Sequence, residues 1–356
     1  MNWMTDMFGH KKYNILVLGS NGMLGYDVYK KLIAASLYKQ SNIGTVIALD
    51  RNDNKKCIVD LTERHALGNY MVNSIHFDYC INCTAYTDTK SAETTKEGKM
   101  LSYKMNALAP KYIAESCKYH KTKLIHISTD YVFSEFSPSC AWCNNNSPEP
   151  FTVDAEPFPV NNYGMHKLLG EIGIREVFGK KSKDYAILRT SWLYGNHNHK
   201  SFVHRFLKNV IEALKKDPNA TITMTENEAS VPTSTAYVVK CIRDVIDSKK
   251  HGTFHAVPTF ELTKRGVSRY EFASMILKFF DTATKGTYAI NGKELSDVFI
   301  QPVTSTTSHQ PEYSVMKNEN GYKTLIGPKE FWKQDLEDFI CEYGDAIFNA
   351  YKNNAL

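Results

Sequence analysis

Several features are missing from this 356-residue sequence, and each absence narrows what the protein can be. No apolar run approaches the roughly 20 residues that a membrane-spanning helix needs. The stretch Met1 to Lys12 holds no apolar core of signal-peptide length and leads straight into a strand pattern. The net charge of +5 is spread along the chain without a long Lys/Arg block, so the clustered basic face that nucleic acid demands is missing. Neither an internal repeat nor a low-complexity tract occurs. These absences point to a soluble, cytoplasmic protein with neither membrane nor nucleic acid among its partners. The eight cysteines are scattered and read as reduced thiols. Two Cys-x-x-Cys pairs, Cys80/Cys83 and Cys140/Cys143, have zinc-ligand spacing. The first ends an apolar strand, and the second lies in a polar segment, 137–150, that looks like an insertion. Nothing demands that they converge on a tetrahedral site, so no metal is expected.

What is present is an ordinary globular composition, 42% hydrophobic and 23% charged, in a length that suits one large domain or two of usual size. Tyr13 to Leu18 is a short apolar run that reads as a buried parallel strand. It runs into Gly19-Ser20-Asn21-Gly22-Met23-Leu24-Gly25, and Met23, Leu24, Val28 and Leu32 then begin a helical stripe. Strand, glycine turn and helix in this order form a phosphate cradle. Glycines let the backbone approach a pyrophosphate, and the helix start adds N–H groups and positive dipole. Thr45 to Leu49 is a second strand ending in Asp50, where a ribose-binding carboxylate belongs. Arg51 directly after it suits a 2′-phosphate, so the choice between NADH and NADPH stays open.

Cys57 to Val59 reads as a third strand, with Asp60 and Leu61 at its end beside the expected adenine. A fourth runs from Phe77 to Cys83, followed by Thr84, Ala85, Tyr86 and Thr87, whose small members let the backbone pass close to a flat ring. Helical periodicity marks 105–117, and Leu124 to Ser128 is a fifth strand that delivers Thr129 at its carboxyl end. Ligands of open α/β sheets bind outside those ends. Asn161 or Asn162 caps the next helix, which carries Tyr163 and Lys167 one turn apart on one face. An ammonium beside a phenol favours the phenolate and would draw the tyrosine toward neutral pH, ready to exchange a proton with a carbonyl oxygen. A hydroxyl from Thr129 or Ser128 would bond the same oxygen. Tyr185 to Arg189 is a sixth strand. The alternation predicts a doubly wound parallel sheet. Beyond about Tyr194, helices are expected near 202–214, 237–246, 269–280 and 331–347, with short strands such as 253–257 between them.

Gly19-x-x-Gly22-x-x-Gly25, Asn82-Cys83-Thr84-Ala85-Tyr86-Thr87, Ser128-Thr129-Asp130-Tyr131-Val132-Phe133, Asn162-Tyr163-Gly164-x-x-Lys167 and Leu188-Arg189-Thr190-Ser191-Trp192-Leu193-Tyr194-Gly195 follow one another in that order. Together they resemble the extended short-chain dehydrogenases/reductases and, within them, the dTDP-4-dehydrorhamnose reductase family. The resemblance implies a Rossmann-type sheet over 13–193 and a smaller C-terminal α/β substrate domain, mainly 194–356, with some segments returning to the first. It implies NADPH or NADH as cofactor and a nucleotide-sugar substrate whose C4 ketone is reduced, giving dTDP-rhamnose or a similar 6-deoxyhexose nucleotide. In that reading Tyr163 is the general acid, Lys167 binds the nicotinamide ribose and lowers the tyrosine pKa, and Thr129 polarises the carbonyl. Asp130 and Trp192 would touch the sugar. A homodimer is one option for its assembly.

The chain departs from the family's pattern in two places. About ten extra residues separate Thr129 from Tyr163, and Gln310-Pro311 stands where an Arg-Pro is usual. Two alternatives share these motifs: a UDP- or GDP-sugar epimerase or reductase, and a non-catalytic binding protein similar to the regulatory subunit of methionine adenosyltransferase.

Overall fold

The computed structural model describes residues 12–50, 59–138, 149–258, 265–282, 288–305, 310–318 and 332–354. The chain divides into two compact units. The first comprises Met1–Val132, Pro159–Thr190 and Val238–Ala256; the second comprises Phe133–Phe158, Ser191–Tyr237 and Val257–Leu356.

The first unit is built on a six-stranded sheet, β1 (Tyr13–Leu18), β2 (Ile43–Leu49), β3 (Tyr79–Asn82), β4 (Lys123–Thr129), β5 (Tyr185–Thr190) and β6 (Gly252–His255). Its order is β6-β5-β4-β3-β1-β2, and every pair is parallel. Residues 15–18, 79–82 and 185–190 are buried throughout, the signature of strands covered on both faces. Helices α1 (Met23–Ser36), α2 (Ala66–Val72), α3 (Thr89–Thr94), α4 (Lys96–Tyr103), α5 (Ala109–Tyr119) and α6 (Asn162–Phe178) connect or cover them. Leu16, Leu18, Leu67, Phe77, Ile113, Leu124, Ile174 and Ile187 share one apolar core, with Leu61 packed against it. Because β2 lies on one side of β1 and β3 on the other, the strand order reverses between β1 and β3, and a crevice opens there at the carboxyl ends.

Several expectations shift. Cys57 and Ile58 of the expected third strand lie outside the described residues. The strand expected over 77–83 ends at Asn82, because the Asn82 side chain accepts from the Thr84 N–H and hydroxyl and turns the chain there. The single helix expected over 105–117 is instead α4, a π-helical stretch Lys104–Leu108, and α5. Pro110, in the first turn of α5, has no N–H for an α-helical bond to Asn106, which accounts for the break.

In the second unit α7 (Phe202–Lys216), α9 (Arg269–Thr282) and α10 (Trp332–Lys352) enclose a core rich in aromatics, including Tyr194, Phe206, Phe272, Phe280, Trp332 and Phe348. Ile300–Val303 pairs in parallel with Ile222–Thr225, and Phe151 bridges to Met316. The helix α8 (Thr235–Asp247) begins in this unit; residues 238–256 return to the first, where β6 extends the sheet beyond β5. Among the described residues no helix is long and apolar enough to cross a membrane.

Candidate active site

The glycine turn after β1 is shaped by close approach. Gly19 has φ +80°, and a Cβ there would lie 2.9 Å from the Thr84 side chain. A Cβ on Gly25 would sit 2.0 Å from the Gly19 carbonyl oxygen, so only glycine lets α1 start this close to the strand. Gly22 is the N-cap of α1 and has no side chain to offer, while the Gly22 N–H bonds the Gly19 carbonyl at 3.0 Å. Met23 and Leu24 open the helix, and its first turn holds no acid. A narrow backbone cradle at an unblocked helix start fits a dinucleotide pyrophosphate. Asp50, at the end of β2, accepts from the Asn21 N–H at 3.1 Å and so braces the turn. Arg51 lies outside the described residues. Asp60 accepts from the Thr62 N–H and hydroxyl, at 2.9 and 2.7 Å.

On the other side of the crevice, the segment Thr84-Ala85-Tyr86-Thr87 is held from below. Asn106, buried in the π-helical stretch, accepts from the Tyr86 N–H at 3.0 Å and donates to the Tyr86 carbonyl at 2.9 Å. The same carboxamide donates to Ser102, whose hydroxyl meets His166 of α6.

Helix α6 brings the candidate catalytic groups in. Asn161 caps it, its side chain accepting from the Gly164 N–H at 2.7 Å. Gly164 and Gly170 allow the approach: a Cβ would lie 2.1 Å from the Tyr131 carbonyl oxygen in one case and 2.3 Å from that of Asn106 in the other. The Tyr163 phenol lies beside Thr129, whose hydroxyl donates to Asp130 at 3.0 Å. The Tyr163 ring meets Tyr131 edge-on at 5.7 Å. Burial and then the Asp130 carboxylate raise the Tyr163 pKa, with the Thr129 hydroxyl opposing. The expected pull toward neutral pH is therefore corrected. The Lys167 amine is turned to the Ile127 carbonyl at 2.6 Å, and its own pKa is lowered to about 8 by burial, against Glu171 and Cys83.

Phenol, hydroxyl and amine thus gather at the carboxyl end of β4. The family model for the RmlD substrate binding domain matches residues 13–344. The chain belongs to that family. It is 27% identical over 332 residues to a dTDP-4-dehydrorhamnose reductase of Mycolicibacterium smegmatis, covering 92% of this chain and 85% of that protein. Among solved structures it resembles a dTDP-4-dehydrorhamnose reductase of Clostridium acetobutylicum, with TM-score 0.71, 29% identity, and coverage of 93% of this chain and 99% of the other. It also resembles the Bacillus anthracis enzyme solved in complex with NADP, with TM-score 0.69, 25% identity, and coverage of 93% and 99%. The resemblance and the fold class drawn from the motifs are borne out.

In this RmlD-family chain Trp192 belongs to the second unit, with φ +37° and its ring capped by the Arg269 guanidinium at 3.7 Å. Cys140 and Cys143 lie outside the described residues. The Cys80 thiol is buried against Cys117, and among the described residues no group of three or more His, Cys, Asp or Glu side chains is arranged to hold a metal.

Sequence reasoning passed over a buried polar layer beneath the trio. Glu171, one turn beyond Lys167, takes both oxygens to Arg189 at 3.0 and 2.8 Å, and also accepts from Arg175 and from Ser128. Burial works against its ionisation, but Arg189, Arg175 and Ser128 hold it well below the usual carboxylate range. His126 sits between Asn82 and Lys167. The one available signal was spacing: Tyr163, Lys167 and Glu171 recur every four residues on α6.

Proposed function

We propose that this chain reduces the C4 ketone of a nucleotide-linked 4-keto-6-deoxyhexose with NADPH, the reaction class named for its dTDP-4-dehydrorhamnose reductase relatives. The observation that carries this reading is the convergence of α6 on the carboxyl end of β4: the Tyr163 ring packs on Tyr131, the Lys167 amine one turn on bonds the Ile127 carbonyl, and the Thr129 hydroxyl at the strand end donates to Asp130. The Gly19–Gly25 turn and the start of α1 hold the pyrophosphate. Asp50 is assigned to the adenosine ribose, with Asp60 and Leu61 toward the adenine and Thr84 to Thr87 on the nicotinamide side. Lys167 holds the nicotinamide ribose. When bound, the cofactor supplies the hydride that goes to C4.

Thr129 orients the ketone oxygen by hydrogen bonding. Tyr163 gives that oxygen its proton as negative charge develops. Its raised pKa suits this role, since a general acid must enter the reaction protonated. Asp130 and Trp192 are assigned to the sugar. A cytoplasmic location belongs to the same reading.

A second copy of the chain is the proposed protein partner. Met100, Leu101 and Tyr103 on α4, and Met165, Leu169 and Ile172 on α6, expose apolar surface on two helices joined by the Tyr103–His166 ring contact. Replacing Leu169 with glutamate should convert a dimer to a monomer in light scattering; an unchanged mass rejects this face.

The function is tested by following NADPH oxidation with dTDP-4-dehydrorhamnose, in parallel with a UDP-linked 4-keto-6-deoxy sugar. Turnover of either supports the reductase, and their ratio gives the nucleotide. No oxidation with any such sugar, together with stable capture of a partner enzyme, would favour the binding-protein alternative.

A further inference from the structure

The buried chain Thr84–Asn82–His126–Lys167 has a direction that its hydrogen bonds fix. The Asn82 carbonyl oxygen accepts from the Thr84 backbone N–H at 3.0 Å and from the Thr84 hydroxyl at 2.6 Å. A backbone N–H can only donate, so the oxygen must lie on that side. The Asn82 NH₂ is then the group facing His126 Nδ1 at 3.0 Å. An amide NH₂ also only donates, so Nδ1 presents its lone pair and the neutral ring carries its proton on Nε2. That Nε2 faces the Lys167 amine at 3.5 Å, the long end of hydrogen-bonding distance, while the amine bonds the Ile127 carbonyl at 2.6 Å. An imidazole N–H set against an ammonium is donor against donor. Set against a neutral amine, it is donor to lone pair. Asn82 and His126 are fully buried and Lys167 is 2% exposed, so water does not relieve the conflict.

We propose that His126 is a positioning residue for Lys167. With its tautomer set by Asn82, its Nε2–H disfavours the ammonium, donates to the uncharged amine beside the Ile127 carbonyl, and so links the protonation of that amine to the Thr84 loop. The proposal rests on the reading of Lys167 as the ribose-binding lysine.

The surroundings agree. His126 is held well below its usual pKa, by burial first and then by Lys167, so the ring stays neutral. The groups facing the amine come from three elements. Glu171, on α6 itself, raises the Lys167 pKa, but its two oxygens are engaged by Arg189 of β5, by Arg175 and by Ser128 of β4. Cys83, after β3, also raises it, yet burial pushes that thiol up to about 12, so it is uncharged at neutral pH. Tyr163 is one turn away and protonated. His126 is the side chain of β4 that meets the amine directly.

Two measurements test this. Nitrogen-15 spectra of the intact, histidine-labelled chain should show His126 protonated on Nε2; protonation on Nδ1 overturns the proposal without any variant. The second is the pH dependence of NADPH affinity, whose alkaline loss should track deprotonation of Lys167 near about 8. His126→Asn keeps a group toward Asn82 but none toward the amine. It should move that midpoint up by about 1 pH unit, the size of a typical single-neighbour effect. His126→Gln, which returns an amide N–H near the Nε2 position, should restore it. A midpoint that stays put in His126→Asn, or that moves equally in both variants, overturns the positioning role while NADPH-dependent turnover by the unaltered chain leaves the reductase reading standing. An unaltered chain that neither binds NADPH nor turns over rejects the reading itself.

Discussion

Lys167→Met replaces a buried amine with an unbranched apolar side chain of similar reach. Burial lowers the Lys167 pKa from 10.5 to about 8, with Glu171 and Cys83 opposing. At about 1.36 kcal/mol per pH unit, keeping this lysine charged at neutral pH costs the fold about 3 kcal/mol. Loss of the bond to the Ile127 carbonyl returns about 1 kcal/mol of that, leaving a net stabilisation of about 2 kcal/mol. The sign depends on pH. Below the folded value of about 8 the lysine is charged in both states and the penalty is complete. Between about 8 and 10.5 the unfolded chain holds the extra proton, so the stability of the unaltered protein rises with pH until the penalty vanishes. Urea unfolding of both proteins from neutral pH to about 10.5 should therefore show the variant more stable at the start and slightly less stable at the end. The same variant should lose turnover, a stabilising change made at the expense of function. A variant that is less stable at neutral pH, or a difference that does not change with pH, refutes the reasoning.

Glu171→Ala should destabilise the chain by about 3–5 kcal/mol, because it leaves Arg189 buried without its carboxylate. The folded-state pKa of Glu171 is depressed below 4.5, so its stabilisation is full above that value and fades as pH falls toward the folded value; acid unfolding of the variant should show a shallower slope there. Gly25→Ala must push the Gly19 carbonyl aside and should weaken NADPH binding by at least about tenfold, or about 1.4 kcal/mol, in a fluorescence titration; unaltered affinity would remove the turn from the cofactor site. Arg51→Ala should weaken NADPH more than NADH, and equal losses would mean the guanidinium does not meet the 2′-phosphate.

Much of the first unit was legible because its strands are nearly continuous apolar runs, 13–18 and 185–190 among them, punctuated by a glycine turn or a polar end. The helix carrying Tyr163 was legible from Asn161, whose capping bond the structure contains. The π-helical stretch at 104–108 was not, since it depends on Pro110 and on the close passage of Gly170 near the Asn106 carbonyl, both matters of three-dimensional packing. Nor was the layer of Asn82, His126, Glu171 and Arg189. A polar side chain in a strand gives no sign of its partner until the neighbouring strand and helix are placed. The tyrosine pKa was misread for the same reason: sequence separation put Lys167 next to Tyr163, whereas the backbone carbonyl of Ile127 captures the amine.

The most direct measurement compares the unaltered chain with Tyr163→Phe, using dTDP-4-dehydrorhamnose and NADPH in one assay and NADPH binding alone in another. Turnover should fall by about 10²–10⁴-fold, the size of a general-acid contribution, with cofactor affinity nearly unchanged. Equal turnover by the two proteins would contradict the general-acid role of Tyr163.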